Sequence, residues 1–168
     1  IEDAKHVQSK LTDLISVTEL VYASGIAAAY TSQKDPSGTY IPNTIYCNVG
    51  RRHAGLNTYH ESEILADVAG GLAATLPFEE DFYHPKVGPL LNKYIMRKAD
   101  VPAENVHRCY RAISDVICSS LAGVMQIAGV HGGGSPVMEE IAILKQYDIK
   151  QRKEMAKYLA GIRKDPPL

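Results

Sequence analysis

The chain has 168 residues, 45% of them hydrophobic, and a formal net charge of -1 at pH 7. This composition is typical of one globular domain with a core, and it provides no electrostatic basis for binding nucleic acid or an anionic membrane. No apolar run reaches the roughly 18 residues that a membrane span needs, and three cysteines without motif spacing favour a reducing, cytoplasmic location.

Residues 2–31 are predicted to form one long amphipathic helix, because apolar side chains recur at steps of three and four. Small residues near its end, Gly25 and Ala27–Ala29, would let another helix approach closely. The chain does not begin with Met and opens inside this pattern, so we expect a piece of a longer protein. The stripe predicted to face the core comprises Val7, Leu11, Leu14, Ile15, Thr18, Val21, Tyr22, Ile26 and Ala29.

The second long helix is predicted over residues 44–76. A loop with the turn sequence Asp35-Pro-Ser-Gly38 precedes it, and Pro42-Asn-Thr44 resembles a helix start. Gly50 and Gly55 indicate a local irregularity. The pair Gly70-Gly71 costs about 1 kcal/mol per glycine against Ala inside a helix, and such a cost is tolerated where a neighbouring backbone or a ligand comes close.

The rest of the chain also predicts helices, after a loop at the acidic residues 79–81. The proposed segments are 86–98, 102–130, one that begins at the N-cap Ser135 and Pro136, and 150–162, which extends that helix or forms a sixth. Gly132–Gly134 breaks the pattern before Ser135. We therefore expect an all-α bundle of long helices without a sheet, with one domain over residues 1–163 and a disordered tail over 164–168.

The spacing of cysteines and histidines does not predict a metal site. Cys109 and Cys118 are nine residues apart and would lie on opposite faces of a helix, so with Cys47 they are interpreted as small buried apolar residues. His53 and His60 would be two helical turns apart, too far for one ion. Glu104 and His107 supply only one half of a di-iron motif, and Glu104 suits a first turn. The adjacent Arg51 and Arg52 suit either a phosphate or carboxylate ligand or salt bridges.

Four blocks together resemble the 4-hydroxybutyryl-CoA dehydratase / 4-hydroxyphenylacetate 3-monooxygenase family of flavoproteins, and the dehydratase branch more closely. The blocks are Asn48-Val49, Asp67-Val-Ala-Gly-Gly-Leu-Ala-Ala-Thr-Leu-Pro77, His131-Gly-Gly-Gly-Ser-Pro136 and Lys157-Tyr-Leu-Ala-Gly-Ile162. The resemblance covers nearly the whole chain, but only the last third of such a protein. It implies a helical domain like that of the acyl-CoA dehydrogenases, a CoA thioester substrate, and FAD held partly at an interface of a homo-oligomer, either a dimer or a tetramer.

The resemblance also implies site residues. Gly70, Gly71, Ala73, Ala74 and Thr75 would bind FAD, as would Gly132 and Gly133, and His131 would be catalytic. Close helix packing is the alternative explanation for the glycine pair, and interaction with the helix dipole is the alternative for His131. The dehydratase branch has a catalytic Glu three residues before this His, where this chain has Ala128, which cannot transfer a proton.

Three functions remain open from the sequence. The first is the C-terminal domain of a dehydratase/isomerase, whose fragment alone would be inactive; the second is the same domain in an FADH2-dependent monooxygenase; and the third is a non-catalytic helical assembly module. The resemblance implies a [4Fe-4S] cluster in the parent dehydratase, held by three Cys and one His. None of the cysteines here matches that pattern, so we expect those ligands upstream and assign no metal ligand to this chain.

Overall fold

The computed structural model describes residues 4–162 and 164–166, so residues 1–3, 163, 167 and 168 of the predicted helix, domain and tail lie outside the described part. The α-helices are α1 (Lys5–Tyr30), α2 (Thr44–Ala69), α3 (Gly88–Ile95), α4 (Ala103–Ile117), α5 (Ser120–His131), α6 (Pro136–Gln146) and α7 (Ile149–Leu159). Two 3₁₀-helices, Gly70–Ala74 and Glu79–Tyr83, and two strands, β1 (Gln33–Lys34) and β2 (Tyr40–Ile41), complete the described elements. The predicted all-α class is confirmed.

The expectation of no sheet was wrong in one place, the predicted loop between α1 and α2. There β1 and β2 pair as a small antiparallel hairpin. Its turn is closed by Asp35, whose Oδ1 accepts hydrogen bonds from the backbone N–H groups of Ser37 (2.9 Å) and Thr39 (3.0 Å). The hydrogen bond from the Ser37 hydroxyl is the main reason that the pKa of Asp35 is lowered. The turn chemistry was therefore read correctly, and the short strands follow from it.

The described residues cluster into two compact units, the first made of residues 4–14 and 56–132. Within it two ion pairs join α1 to α2: Lys10 Nζ lies 2.9 Å from Asp67 Oδ2, and His60 Nε2 lies 2.6 Å from Asp13 Oδ2. Helix α4 packs against α3, α5 and the 3₁₀-helix Gly70–Ala74. The buried apolar residues of this unit are Val7, Ile64, Ala69, Ala73, Ile95, Ala103, Val106 and Ala122.

The second unit contains residues 15–55, 133–162 and 164–166. Here Asn43 begins α2, because its Oδ1 accepts a hydrogen bond from Ile45 N at 3.0 Å, as the predicted helix start requires. A Cβ added to the buried Gly50 would collide with the hydroxyl of Ser24 on α1. Gly50 therefore permits close approach of two helices, and the predicted irregularity at Gly50 and Gly55 was wrong because α2 runs unbroken through both.

Two further predicted elements are corrected. The helix predicted over 102–130 is divided into α4 and α5 at Cys118 and Ser119, where Ser119 Oγ accepts a hydrogen bond from Ala122 N at 3.1 Å and so caps α5. The acidic loop at 79–81 instead forms a 3₁₀-helix, in which Asp81 Oδ2 accepts a hydrogen bond from Phe78 N at 3.0 Å. Helices α6 and α7 are separate, with α7 capped by Asp148.

Much of the apolar stripe predicted for α1 lies on the surface. Leu11 is 43% exposed, Ile15 61%, Tyr22 67% and Ile26 53%, whereas Val7, Val17 and Ala28 are buried. These four apolar side chains therefore lie outside the core that the described residues form.

One described helix is also long and apolar enough to cross a membrane, and a second candidate arises if α4 is joined with residues 120–146 as one bent span. The first is α1, in which an 18-residue window has a mean hydropathy of 1.2 and is 11% buried. Polar residues interrupt the apolar run of α1, so the sequence pattern did not predict this candidate. A core helix of a globular protein passes the same test of length and composition.

Candidate functional site

The glycine pair at the end of α2 lies on an open surface. Gly70 has a φ of 67°, a left-handed conformation that disfavours any side chain, and it ends the α-helix before the 3₁₀-turn. No heavy atom lies within 4 Å of a Cβ added to Gly70 or Gly71, and both residues are exposed. Within the described chain, close helix packing therefore does not explain the pair: Gly70 is required by its backbone, while the space beside Gly71 is open.

Of the residues that follow the glycine pair, one predicted FAD contact is buried and two are exposed. Ala73 is 2% exposed, so it supports the turn from below rather than offering a surface to a cofactor. Ala74 and Thr75 are exposed. The Thr75 hydroxyl donates to Gly71 O at 3.1 Å, which closes the turn and leaves the lone pairs of Thr75 Oγ1 free to accept.

His107 holds the chain just beyond this turn. It is 5% exposed, and its Nε2 donates to the carbonyl of Pro77 at 2.8 Å. Its ring also meets Phe82 edge to face, with centroids 5.0 Å apart. The interpretation of Glu104 as a first-turn carboxylate is confirmed, and His107 serves as a structural anchor. Sequence alone did not show this role, because Pro77 lies 30 residues away.

His131 ends α5 with an exposed side chain. No hydrogen bond or ion pair connects its imidazole to another residue in the part of the chain that the structure describes. Ala128, one turn earlier, is exposed, and its carbonyl accepts from Gly132 N. The structure thus leaves both interpretations of His131 standing: it lies where the helix dipole favours a cation, and its imidazole is available to a ligand.

The glycines after His131 face a charged pair in the second unit. A Cβ added to Gly133 would lie 3.2 Å from Arg51 Nε and 3.3 Å from Glu139 Oε1, and one added to Gly134 would collide with Arg51 Nη2. Arg51 Nε lies 3.7 Å from Glu139 Oε1, and Glu139 is only 4% exposed. Of the two sequence-based alternatives for Arg51 and Arg52, the structure therefore shows the salt bridges, since Arg52 Nη2 lies 2.6 Å from Glu140 Oε1.

The cysteines do not form a buried set, contrary to prediction. Cys109 and Cys118 are exposed and Cys47 is half-buried. Cys118 occupies the C-cap of α4, so the helical-wheel argument that placed it opposite Cys109 does not hold at that end. Among the described residues, no group of three His, Cys, Asp or Glu side chains is placed to hold a metal ion. These residues therefore do not fit an iron–sulfur cluster.

Two relatives of known activity match much of the sequence. The chain is 29% identical over 170 residues to 4-hydroxybutyryl-CoA dehydratase/vinylacetyl-CoA-Δ-isomerase from Clostridium aminobutyricum, over 96% of this chain and 35% of the relative. It is 33% identical over 109 residues to the oxygenase component of 4-nitrophenol 4-monooxygenase/4-nitrocatechol 2-monooxygenase from Rhodococcus opacus, over 65% of this chain and 20% of the relative.

Solved structures share the fold. An oxygen-tolerant archaeal 4-hydroxybutyryl-CoA dehydratase from N. maritimus superposes with a TM-score of 0.86 at 35% identity, over 98% of this chain and 33% of that one. The oxygenase component of 4-hydroxyphenylacetate 3-monooxygenase, complexed with FAD and 4-hydroxyphenylacetate, gives a TM-score of 0.85 at 22% identity, over 96% of this chain and 33% of that one. The second likeness shows the fold alone.

This chain spans about a third of the length of the dehydratase relatives that it matches. Family membership is shown over nearly all of it, since the pattern described as "4-hydroxyphenylacetate 3-hydroxylase C terminal" (HpaB) matches residues 1–161. The all-α fold agrees with that match. The chain belongs to the HpaB C-terminal domain family, whose members include dehydratase/isomerase and monooxygenase enzymes.

Proposed function

We propose that this chain is the C-terminal helical domain of a flavin-dependent enzyme of the 4-hydroxybutyryl-CoA dehydratase / vinylacetyl-CoA Δ-isomerase type. In this proposal it contributes part of an FAD site and part of the contacts between subunits. The archaeal dehydratase supports this branch, because it is 35% identical over 98% of the chain, whereas the 4-hydroxyphenylacetate 3-monooxygenase component is 22% identical over 96%. The substrate class, a CoA thioester, comes from the names of the dehydratase relatives.

One observation carries the flavin proposal: the open surface beside Gly71. A flat ring or a phosphate can approach Gly71, because the space that a Cβ on this residue would occupy is open in the described chain. The exposed residues that would hold FAD are Gly70, Gly71, Ala74 and Thr75, with Thr75 Oγ1 accepting a hydrogen bond, while Ala73 supports them from below. Bound FAD would supply the redox chemistry that protein side chains lack.

The second part of the proposed site is the turn after α5. The exposed His131 imidazole is able to take or give a proton, and Gly132 beside it is exposed. Gly133 is half-buried, since one of its sides meets Arg51 and Glu139, so a ligand would reach it only from the other side. Ala128 offers a methyl group, so any carboxylate needed for proton transfer must come from another residue.

Subunit assembly is the other part of the proposal. The exposed apolar residues of α1 support this part of the proposal, because an apolar surface of this kind favours contact with other protein. We expect the full-length protein to form at least a homodimer. Analytical ultracentrifugation at tens of micromolar, an order-of-magnitude concentration for such tests, should show a dimer or tetramer; a species that stays monomeric would contradict this assembly.

The test of function uses the full-length protein that carries this domain. The purified protein should show flavin absorbance and should convert vinylacetyl-CoA to its conjugated isomer, with upstream residues supplying any iron–sulfur cluster. Ala128 favours a second candidate, the FADH2-dependent oxygenase component of a 4-hydroxyphenylacetate 3-monooxygenase, because hydroxylation by a reduced flavin places no demand on that carboxylate. Oxygen-dependent hydroxylation of a phenol without isomerase activity would select the second candidate. Absence of flavin would leave a non-catalytic assembly module.

A further inference from the structure

Two neighbouring arginines of α2 pair with two neighbouring glutamates of α6, but the two pairs differ in kind. Arg52 and Glu140 meet at 2.6 Å with side chains 34% and 48% exposed, an ordinary surface pair that contributes little to stability. Arg51 and Glu139 lie 3.7 Å apart, and the Glu139 side chain is 5% exposed. Removing a carboxylate from water is costly. The burial of Glu139 therefore needs a reason that an ordinary surface ion pair does not provide.

The position of the Arg51 guanidinium provides that explanation. Its Nε lies next to Gly133 and Glu139, and its Nη2 lies against Gly134, so closely that a Cβ on Gly134 would collide with it. Gly134 also has a φ of 122°, a conformation that L side chains rarely adopt. A side chain on Gly134 would therefore displace the guanidinium, and one on Gly133 would crowd Arg51 Nε and Glu139 Oε1.

We propose that Arg51 is a positioning residue that fixes the turn at Gly133 and Gly134, and that the buried Glu139 in turn holds Arg51. The conformation of these two glycines sets where Gly133 presents its backbone groups. This inference rests on the proposed function in one respect only, namely that these residues face a ligand. The bracing of the turn by Arg51 stands on the distances within the second unit.

Arginine suits this role better than lysine. Its planar guanidinium presents Nε and Nη2 in a fixed relation, so one side chain can lie along two successive glycines and still face a carboxylate. A lysine ammonium keeps the charge beside Glu139 but has no second nitrogen to place against Gly134. The Arg51→Lys variant therefore separates the charge of the pair from the planar contact with the turn.

The experiment compares Arg51→Gln, Arg51→Lys and Glu139→Gln with the matched control Arg52→Gln in the full-length protein. Hydrogen–deuterium exchange of peptides covering residues 131–136 is the first readout, with peptides from α4 as the internal reference. We expect exchange in the turn to accelerate about tenfold or more in Arg51→Gln and Glu139→Gln, by an order-of-magnitude estimate for a local contact worth one factor of ten. Arg51→Lys should retain part of the protection, and Arg52→Gln should match wild type.

Flavin absorbance and catalytic rate are the second readout. If the Arg51–Glu139 pair only stabilised the fold, its loss would change these two quantities only together with the melting temperature. We expect Arg51→Gln to lower flavin occupancy or kcat at unchanged helix content, with Arg52→Gln unaffected. Equal exchange in the Arg51→Gln and Arg52→Gln proteins would overturn the positioning role. If wild type binds no flavin, the proposed function fails while the exchange data still decide the bracing; if Arg51→Gln does not fold, Arg51→Lys supplies the comparison.

Discussion

Substitutions at Gly70 and Gly71 test the proposed flavin surface, because a side chain should disturb a different property at each position. Gly70 has a φ of 67°, and a side chain in the left-handed region costs about 1–2 kcal/mol. Gly71 has a φ outside that region and open space around an added Cβ. Valine there should be neutral or slightly stabilising, since it is a few tenths of a kcal/mol better than Gly in a helical segment.

These energies predict distinct melting behaviour. A change of 1 kcal/mol shifts the melting temperature of a domain of this size by about 2–4 °C. Gly70→Ala should therefore lower it by about 2–8 °C, from the same relation, whereas Gly71→Val should leave it within about 2 °C of wild type. Far-ultraviolet circular dichroism should show the same helix content for both variants at room temperature.

Flavin occupancy provides the functional half of the test. If FAD lies against the open glycine, the isopropyl group of Gly71→Val occupies its space, and the full-length variant should lose most of its flavin absorbance without unfolding. Thermal melts and flavin spectra are recorded on the same purified samples, with Ser119→Ala, which lies outside residues 70–75, as the stability control. A Gly71→Val protein that keeps stoichiometric FAD, or loses it only as it unfolds, would refute the assignment of residues 70–75 to the cofactor.

Two other predictions follow from caps and charges. Ser119→Ala should cost about 1 kcal/mol of unfolding free energy, because Ser119 Oγ accepts the backbone bond that starts α5, whereas Ser135→Ala should be nearly neutral because Ser135 makes no side-chain cap bond; urea denaturation of the two variants measures the difference. The hydrogen bond to Asp13 raises the pKa of His60 above 6.5, so the stabilisation by this pair is fully present below pH 6.5 and is lost as the pH rises through the folded pKa. Unfolding curves of wild type and Asp13→Asn should therefore converge on the alkaline side; a gap that widens with pH would reverse the sign.

Local patterns in the sequence predicted the helices and turns well where the cause is local. The helix start at Asn43, the turn at Asp35 and the break after His131 depend on residues within a few positions of each other. The division between α4 and α5 was missed because an apolar pattern continues across it, although Ser119 followed by a helical stretch was a usable N-cap signal. The short 3₁₀-helix at 79–83 carries no periodicity that could distinguish it from a loop.

The site was less predictable, because its contacts join distant parts of the chain. Nothing in the sequence pairs His107 with Pro77 or Arg51 with Gly134, which lie 30 and 83 residues apart. The apolar stripe of α1 was predicted from its spacing. The spacing does not show which apolar side chains are buried by this chain and which remain exposed. The sequence also suggested one explanation for both Gly70 and Gly71. In the structure, Gly70 is needed for its positive φ, whereas Gly71 lies beside open space.

The exposed thiols of Cys109 and Cys118 allow the surface of α4 to be probed by thiol labelling. A thiolate reacts with a disulfide reagent only where it is accessible, so the reaction rate at these two positions reports whether anything lies over the helix and its C-cap. The half-buried Cys47 on α2 provides a slower internal standard. Identification of the labelled peptides by mass spectrometry can therefore show which surface of this domain is occupied in the full-length protein, without an engineered label.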